Sequence, residues 1–320
     1  ITSYSAGAAI GPLLGGTLLQ VFWWGSVFLL AVPVMVLLLI LAPVLLPEYR
    51  DPNAGRIDFF SAALSLAALL ALIFGLKQAA QYGFSWLSVI SILSGLVIAT
   101  VFVQRQRTLA HPLIDLGLFR APAFSASLAI YTLGTFVAFG IFVFMTQYLL
   151  LVLEMGPLEA GLWTVPFALG FVFGSMLAPR LVRSLRPADV MAAGLAIAAL
   201  GYILLTQVSH TAGPGLLVTG MVLQSIGMAP VFTLTNDLIM ATAPPERAGA
   251  ASGISGTASE LGGALGIALL GSLATAVYGA ALSRETVAQA LELTAAICAA
   301  IVIAMAAVIV ALLRPAKATA

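Results

Sequence analysis

Charge is what this sequence has least of: only 8% of its 320 residues are Asp, Glu, Lys or Arg, about a third of the share in an ordinary soluble domain. A water-soluble fold of this length needs a charged skin, and 13 basic plus 12 acidic residues cannot cover one. The formal net charge of +1, without any run of like charge, excludes a nucleic-acid-binding surface. A single cysteine, Cys298, excludes an intrachain disulfide and a cysteine-based metal site. The two histidines, His111 and His210, both fall in breaks between apolar stretches. His-Glu-x-x-His, Gly-x-Ser-x-Gly and a phosphate-cradling Gly-rich loop are all missing. Neither an enzyme nor a resident metal or cofactor is expected. The first basic residue is Arg50, so the chain does not open on the basic segment of a secretory signal, and its start inside an apolar stretch is expected to follow missing amino-terminal helices.

What is present is apolar: 62% of the residues are hydrophobic. A helix needs about 20 such residues to cross the hydrocarbon core. Ten stretches qualify, at 1–22, 24–45, 59–76, 86–103, 124–153, 158–178, 188–208, 215–241, 248–278 and 287–313. If these alternate across the membrane, 11 basic residues fall on one side and two, Lys77 and Arg284, on the other. That asymmetry predicts a multi-pass protein of the cell membrane with a cytoplasmic carboxyl terminus and a first helix running outward. The predominance of Arg over Lys suggests a bacterial source. Two long breaks on the cytoplasmic side divide the chain into three parts: two helices in 1–46, a two-helix hairpin with its linkers in 47–123, and a six-helix bundle in 124–320. The fold class is therefore an all-α polytopic membrane bundle.

In the opening helix Gly7, Gly11 and Gly15 recur every four residues, with Pro12 directly after the middle glycine and Gly16 after the last. Such a stripe is expected to let another backbone approach closely, while the proline frees a carbonyl and invites a bend. This stretch resembles the antiporter motif in the fifth helix of the major facilitator superfamily, specifically of its fourteen-span drug:proton antiporters. Phe28, Pro33, Leu46-Pro47-Glu48, Gln147-Tyr148-Leu149, Gly156-Pro157-Leu158-Glu159-Ala160-Gly161-Leu162, Pro244-Pro245-Glu246-Arg247-Ala248-Gly249 and Leu261-Gly262-Gly263-Ala264-Leu265-Gly266 look like the same family. The resemblance covers essentially the whole chain, as the family's fifth to fourteenth helices. It departs after Trp24, where Gly25 and Ser26 replace the family's Arg-Trp, and at Ala31, where the family carries an Asn before Pro33.

Among residues inside the spans, Glu260 stands out. It lies twelve residues after Ala248, roughly 18 Å along a helix and thus near the bilayer centre. A charged side chain at that depth costs about 2.5–3.5 kcal/mol on insertion scales, so the group is expected to face protein or a water-filled cavity. Gly249, Gly253, Gly256, Thr257, Glu260, Gly263, Ile267 and Gly271 share one small, partly polar face. A carboxyl on such a face is suited to load a proton and release it when a cation binds, which is what an antiporter requires; the bland alternative is a permanently protonated acid bonded to a neighbouring helix. Asp237, near the cytoplasmic end of its span, is the second proton-coupling candidate, with helix capping or an arginine pair as its alternative. Asn236 and Thr233 could extend a polar lining. Gln147, Trp163 and Gln224 are candidate substrate-binding residues, and Phe136, Phe139, Phe142 and Phe144 could add aromatic surface for an apolar cation. Glu154 reads as a solvated boundary charge. Arg180, Arg183 and Arg186 form a cytoplasmic loop that resembles a degenerate copy of the superfamily's conformational latch, and simple orientation charge is equally compatible with them.

The expected function is that of a monomeric secondary transporter, exporting hydrophobic or cationic small molecules in exchange for protons by alternating access. Its partners are the substrate, protons and the lipid bilayer, with no nucleic acid. The rival from another class is a non-transporting membrane scaffold or assembly subunit.

Overall fold

The computed structural model describes residues 2–45, 58–109, 112–211, 213–244, 247–278 and 283–312. Arg50, Arg56, Arg314 and Lys317 of the charge count, and His111, lie outside the described residues. The described residues form helices with no strand. In order these are α1 (Thr2–Val21), α2 (Ser26–Leu29), α3 (Ala31–Leu45), α4 (Phe59–Tyr82), α5 (Trp86–Thr108), α6 (Pro122–Gln147), α7 (Pro157–Leu181), α8 (Pro187–Leu205), α9 (Pro214–Thr242), α10 (Ala248–Tyr278) and α11 (Arg284–Leu312). The pair α2 and α3 makes one apolar stretch, Ser26–Leu45. Among the described residues nine helices are long and apolar enough to cross a membrane, and α1 supplies a tenth helix where the sequence places a span.

Helix starts follow from local chemistry. Pro122, Pro157, Pro187 and Pro214 open four of the helices, a position where the missing N–H costs nothing and the fixed φ is already helical. α5 begins with a capping box in which Ser85 and Ser88 each accept from the other's backbone. Asp58 caps α4, accepting from the backbone N–H of Phe60 and Ser61 at 3.1 and 3.2 Å and from the Ser61 hydroxyl at 2.7 Å.

Helices α6 to α11 share one buried apolar cluster in which Tyr148, Tyr202, Phe144, Met145 and Leu195 are closed off from solvent. Hydrophobic burial alone does not join helices in lipid, so close backbone approach must do much of that work. The α8–α9 seam shows how. A Cβ at Gly194 would fall 2.5 Å from the Gly227 carbonyl oxygen, and one at Gly227 would fall 2.5 Å from the Ala198 nitrogen. On the other side of α9, Gly174 of α7 meets the Ile226 carbonyl at 2.6 Å. The hairpin is built likewise, with Gly75 against the Ile92 nitrogen at 2.8 Å and Gly95 against the Leu72 nitrogen at 2.9 Å. It leans on the six-helix cluster through α4, which packs against α10.

Gln224 is buried in the α8–α9 seam and accepts a 2.6 Å hydrogen bond from the Tyr202 hydroxyl, which is also fully buried. Deleting that hydroxyl leaves a buried carbonyl unpaired, which costs about 1–3 kcal/mol. Tyr202→Phe should accordingly lower the thermal unfolding midpoint in detergent, and adding Gln224→Leu should recover part of the loss. Equal midpoints for Tyr202→Phe and the parent chain would remove the pair from the stabilising contacts.

Ion pairs fasten the ends. Arg105 of α5 pairs with Asp58 at 2.9 Å and lies 5.0 Å over the Phe60 ring, while Gln106 donates to the Ser61 hydroxyl at 2.8 Å. The Ser61 hydroxyl and backbone bonds, followed by Arg105, lower the Asp58 carboxyl from 3.8 to about 2, keeping it ionised. Arg247, just before α10, pairs with Asp115 in the segment joining α5 to α6. At the opposite ends Arg284 pairs with Glu154, which occupies the left-handed region at φ 53° where α6 ends in a π turn, Tyr148–Val152. Glu154 is thus an exposed boundary charge, as expected, and is also paired. Each of these pairs joins breaks that the sequence assigns to the same membrane face.

Candidate functional site

A cavity of about 540 Å³ opens where α1, α6, α7, α9 and α10 converge. Its position follows from close backbone approach between the helices around it. α10 meets α6 through Gly262 and Gly266, whose Cβ positions would fall 3.1 Å from the Thr132 carbonyl carbon and 2.8 Å from the Phe136 carbonyl carbon. α1 meets α7 through Gly16, where an added Cβ would fall 2.8 Å from the Leu158 Cα, and through the Pro12 carbonyl, at 2.8 Å from a Cβ placed on Gly161. These contacts fix the rotation of each helix, and the rotation decides which side chains point inward.

The glycine stripe of α1 is used differently from the expectation. Gly7 and Gly11 have nothing within 4 Å of an added Cβ and Gly15 has only Val27 at 3.9 Å, while the close approach to α7 runs along Pro12 and Gly16 on the neighbouring face. The reason is geometric: Pro12 and Gly16 are themselves four apart and hence share a face of their own. Pro12 also lines the cavity.

Glu260 is exposed and lines this cavity from α10. Of the expected small face around it, Gly249, Gly253, Gly256 and Gly271 have nothing within 4 Å of an added Cβ, and a Cβ on Gly263 would fall 3.3 Å from the Phe139 ring. α10 therefore carries two small faces, one closed by α6 and one open. Asn236 of α9 lines the cavity with Glu260, and Ser259 and Thr135 add hydroxyls. Thr233 is held elsewhere, 3.0 Å from the Ser175 hydroxyl.

Six rings face the same space: Tyr131, Phe139 and Phe142 from α6, Phe167 and Phe171 from α7, and Phe232 from α9. Phe232 joins the walls, with its ring centroid 5.7 Å from that of Tyr131 in an edge-to-face arrangement and 6.0 Å from that of Phe171. Phe142 and Phe167 close another side at 5.6 Å. Among the described residues Glu260 supplies the only carboxylate in the lining. Aromatic faces and a carboxylate attract the same kind of ligand, a cation that tolerates loss of water.

The other candidates are placed apart from this space. Asp237 is exposed near the end of α9 and does not line the cavity, although its neighbour Asn236 does. Gln147, the last residue of α6, and Trp163, which is half-buried and packs against the core cluster, are also outside the lining. Gln224 is engaged with Tyr202 in the α8–α9 seam. Phe136 packs on the core and Phe144 is buried within it. Arg180, Arg183 and Arg186 are exposed around the turn between α7 and α8. Sequence reasoning missed Tyr131, Phe167, Phe171 and Phe232. The spacing Thr164, Phe167, Ala168, Phe171 is a helix-face signal that could have found the α7 wall.

Apolar helices long enough to span a bilayer, with an aromatic-lined cavity of small-molecule size between them, define a polytopic membrane protein with a candidate ligand site. Residues 56–267 match the model of the Major Facilitator Superfamily, and the chain belongs to that superfamily. It is 37% identical over 275 residues to the multidrug efflux pump LfrA of Mycolicibacterium smegmatis, covering 86% of this chain and 55% of that protein. It is 31% identical over 276 residues to the tetracenomycin C resistance and export protein of Streptomyces glaucescens, covering 86% and 51%. It is 30% identical over 293 residues to the methyl viologen resistance protein SmvA of Salmonella typhimurium, covering 91% and 59%. The chain spans about half the length of the curated relatives it matches.

Proposed function

We propose that this chain forms part of a proton-coupled exporter of hydrophobic or cationic small molecules, with its ten helices corresponding to the fifth to fourteenth of the fourteen-span drug:proton antiporters. The observation that carries this reading is Glu260: an acid about 18 Å into a membrane helix, opening onto an aromatic-walled cavity. One carboxylate that binds either a proton or a cation makes the two compete, and competition at one group is the simplest form of exchange. Importing one proton charge releases about 2.3 kcal/mol per 100 mV, which is available to drive a neutral substrate outward. For a monovalent cation exchanged one for one, only the pH difference remains.

In this reading residues 1–46 end the amino-terminal bundle, 47–123 form an accessory hairpin, and 124–320 form the carboxyl-terminal bundle that rocks in alternating access. Asp237 is a second proton group nearer the cytoplasm, reached through Asn236. Gln147 and Trp163 contact substrate in a conformation other than the one described, and Gln224 does so only if the Tyr202 bond opens. Gly7, Gly11, Pro12, Gly15 and Gly16 form the antiporter motif, and Arg180, Arg183 and Arg186 latch onto helix ends on the cytoplasmic face. The 11-to-2 division of basic residues supports a cytoplasmic carboxyl terminus.

The test is uptake of a lipophilic cationic dye into inverted vesicles carrying the protein under an imposed pH gradient. Dye movement that follows the gradient, with matching proton counterflow, supports the proposal; no proton movement on dye addition overturns it in favour of a scaffold. Within the site, Phe232→Leu removes the ring shared by two aromatic walls and should weaken dye affinity several-fold, at about 0.5–2 kcal/mol per lost cation–π contact, with little effect on a neutral substrate. Equal loss for both would assign Phe232 to packing alone.

A further inference from the structure

A second groove, about 460 Å³, lies away from the transport cavity, between the hairpin and the six-helix cluster. Lys77 and Gln81, one turn apart on α4, face Ala264, Ile267, Ala268 and Gly271 of α10 across it. Lys77 is exposed and lies five residues before the end of α4 at Tyr82. Among the described residues no carboxylate lies within ion-pair distance of it. A lysine so close to the end of a span can place its ammonium at the headgroup level, where lipid phosphates lie.

We propose that this groove binds an anionic phospholipid in the leaflet nearest the Glu154 and Arg284 face, with its phosphate on Lys77 and Gln81 and an acyl chain lying along α10. Chemistry and shape agree on this occupant. The Lys77 ammonium offers three donors and the Gln81 amide two. The Ser272 hydroxyl already donates to the Ala268 carbonyl at 2.6 Å, so the donors to phosphate come from α4. The floor is alkyl and small: a Cβ at Gly271 would meet nothing within 4 Å, so among the described residues the furrow is open. Ala264, Ile267 and Gly271 continue along the helical face that bears Glu260, from about 6 Å to about 16 Å along the helix axis from it. The lipid would thus bridge α4 and α10 at the contact that holds the hairpin to the bundle. A soluble phosphate would gain nothing from the alkyl floor, and a zwitterionic headgroup would bring its own ammonium to a site without a carboxylate.

Native mass spectrometry of the purified protein tests this, with phosphatidylglycerol and phosphatidylethanolamine of identical acyl chains. The parent protein should retain phosphatidylglycerol several-fold better. Lys77→Gln should abolish the preference and Lys77→Arg should keep it. Gly271→Leu, which fills the furrow while leaving the cation in place, should lower retention of both lipids. Equal retention of the two lipids by the parent, or an unchanged preference in Lys77→Gln, overturns the proposal, as does displacement of bound lipid by millimolar inorganic phosphate. None of these outcomes depends on whether Glu260 couples protons.

Discussion

Glu260→Gln, introduced into the protein that carries this chain, should reduce pH-driven dye export to the level of vesicles without transporter. The substitution preserves size and polarity but can neither release a proton nor balance a cation. At an effective dielectric near 20, a carboxylate and a cation 4 Å apart interact by about 4 kcal/mol before desolvation is counted, against about 0.5–2 kcal/mol for one aromatic face. Removing the acid therefore removes the largest single attraction the cavity offers, and cation affinity should fall at least tenfold. Glu260→Asp should keep coupling with a shifted pH profile, because the charge survives at a slightly different place. Binding of a neutral substrate, measured by quenching of intrinsic fluorescence, should persist in Glu260→Gln and so show that the bundle is folded. Wild-type pH-driven export by Glu260→Gln would end the proposal that this residue couples proton and substrate.

Glu260 was legible because charge is so scarce: an acid in the middle of an apolar stretch needs an environment, and the structure supplies a cavity. The spans were legible for the same reason in reverse, since nothing but lipid accommodates stretches such as Ser26–Leu45 with mean hydropathy 3.0. The aromatic walls were not legible. Phenylalanine occurs at 17 positions, and whether Phe171 faces the cavity or Phe173 faces outward depends on how α7 is rotated about its own axis. Rotation is set by contacts with other helices, Gly174 against Ile226 and Gly161 against Pro12, and these pairs are distant in sequence. Gln224 illustrates the complementary difficulty. A polar residue in a membrane helix can serve a ligand or a neighbouring helix, and only the position of Tyr202 shows that in this conformation it serves the neighbour.

Gly266→Leu should have the largest effect on stability of any single change in the α6–α10 seam. A Cβ at this position would come within 2.8 Å of the carbonyl carbon of Phe136 and closer still to its oxygen. These are backbone atoms in the interior of α6, so no side-chain rotamer can move aside, and the helices must separate. Overpacking of well-packed cores costs about 1–3 kcal/mol, occasionally more, and a rigid backbone partner places this site at or above the upper end. Separation would also carry function with it, because Tyr131, Thr135 and Phe139 on α6 face Glu260 on α10 across the cavity. Gly271→Leu provides the control on the same helix, since an added Cβ there has nothing within 4 Å. The expected result is a sharply lower unfolding midpoint and loss of monodisperse protein for Gly266→Leu, against a midpoint for Gly271→Leu close to that of the parent. If the two variants unfold together, the seam does not hold the helices as its backbone distances imply, and the inward rotation of Glu260 must be fixed by other contacts.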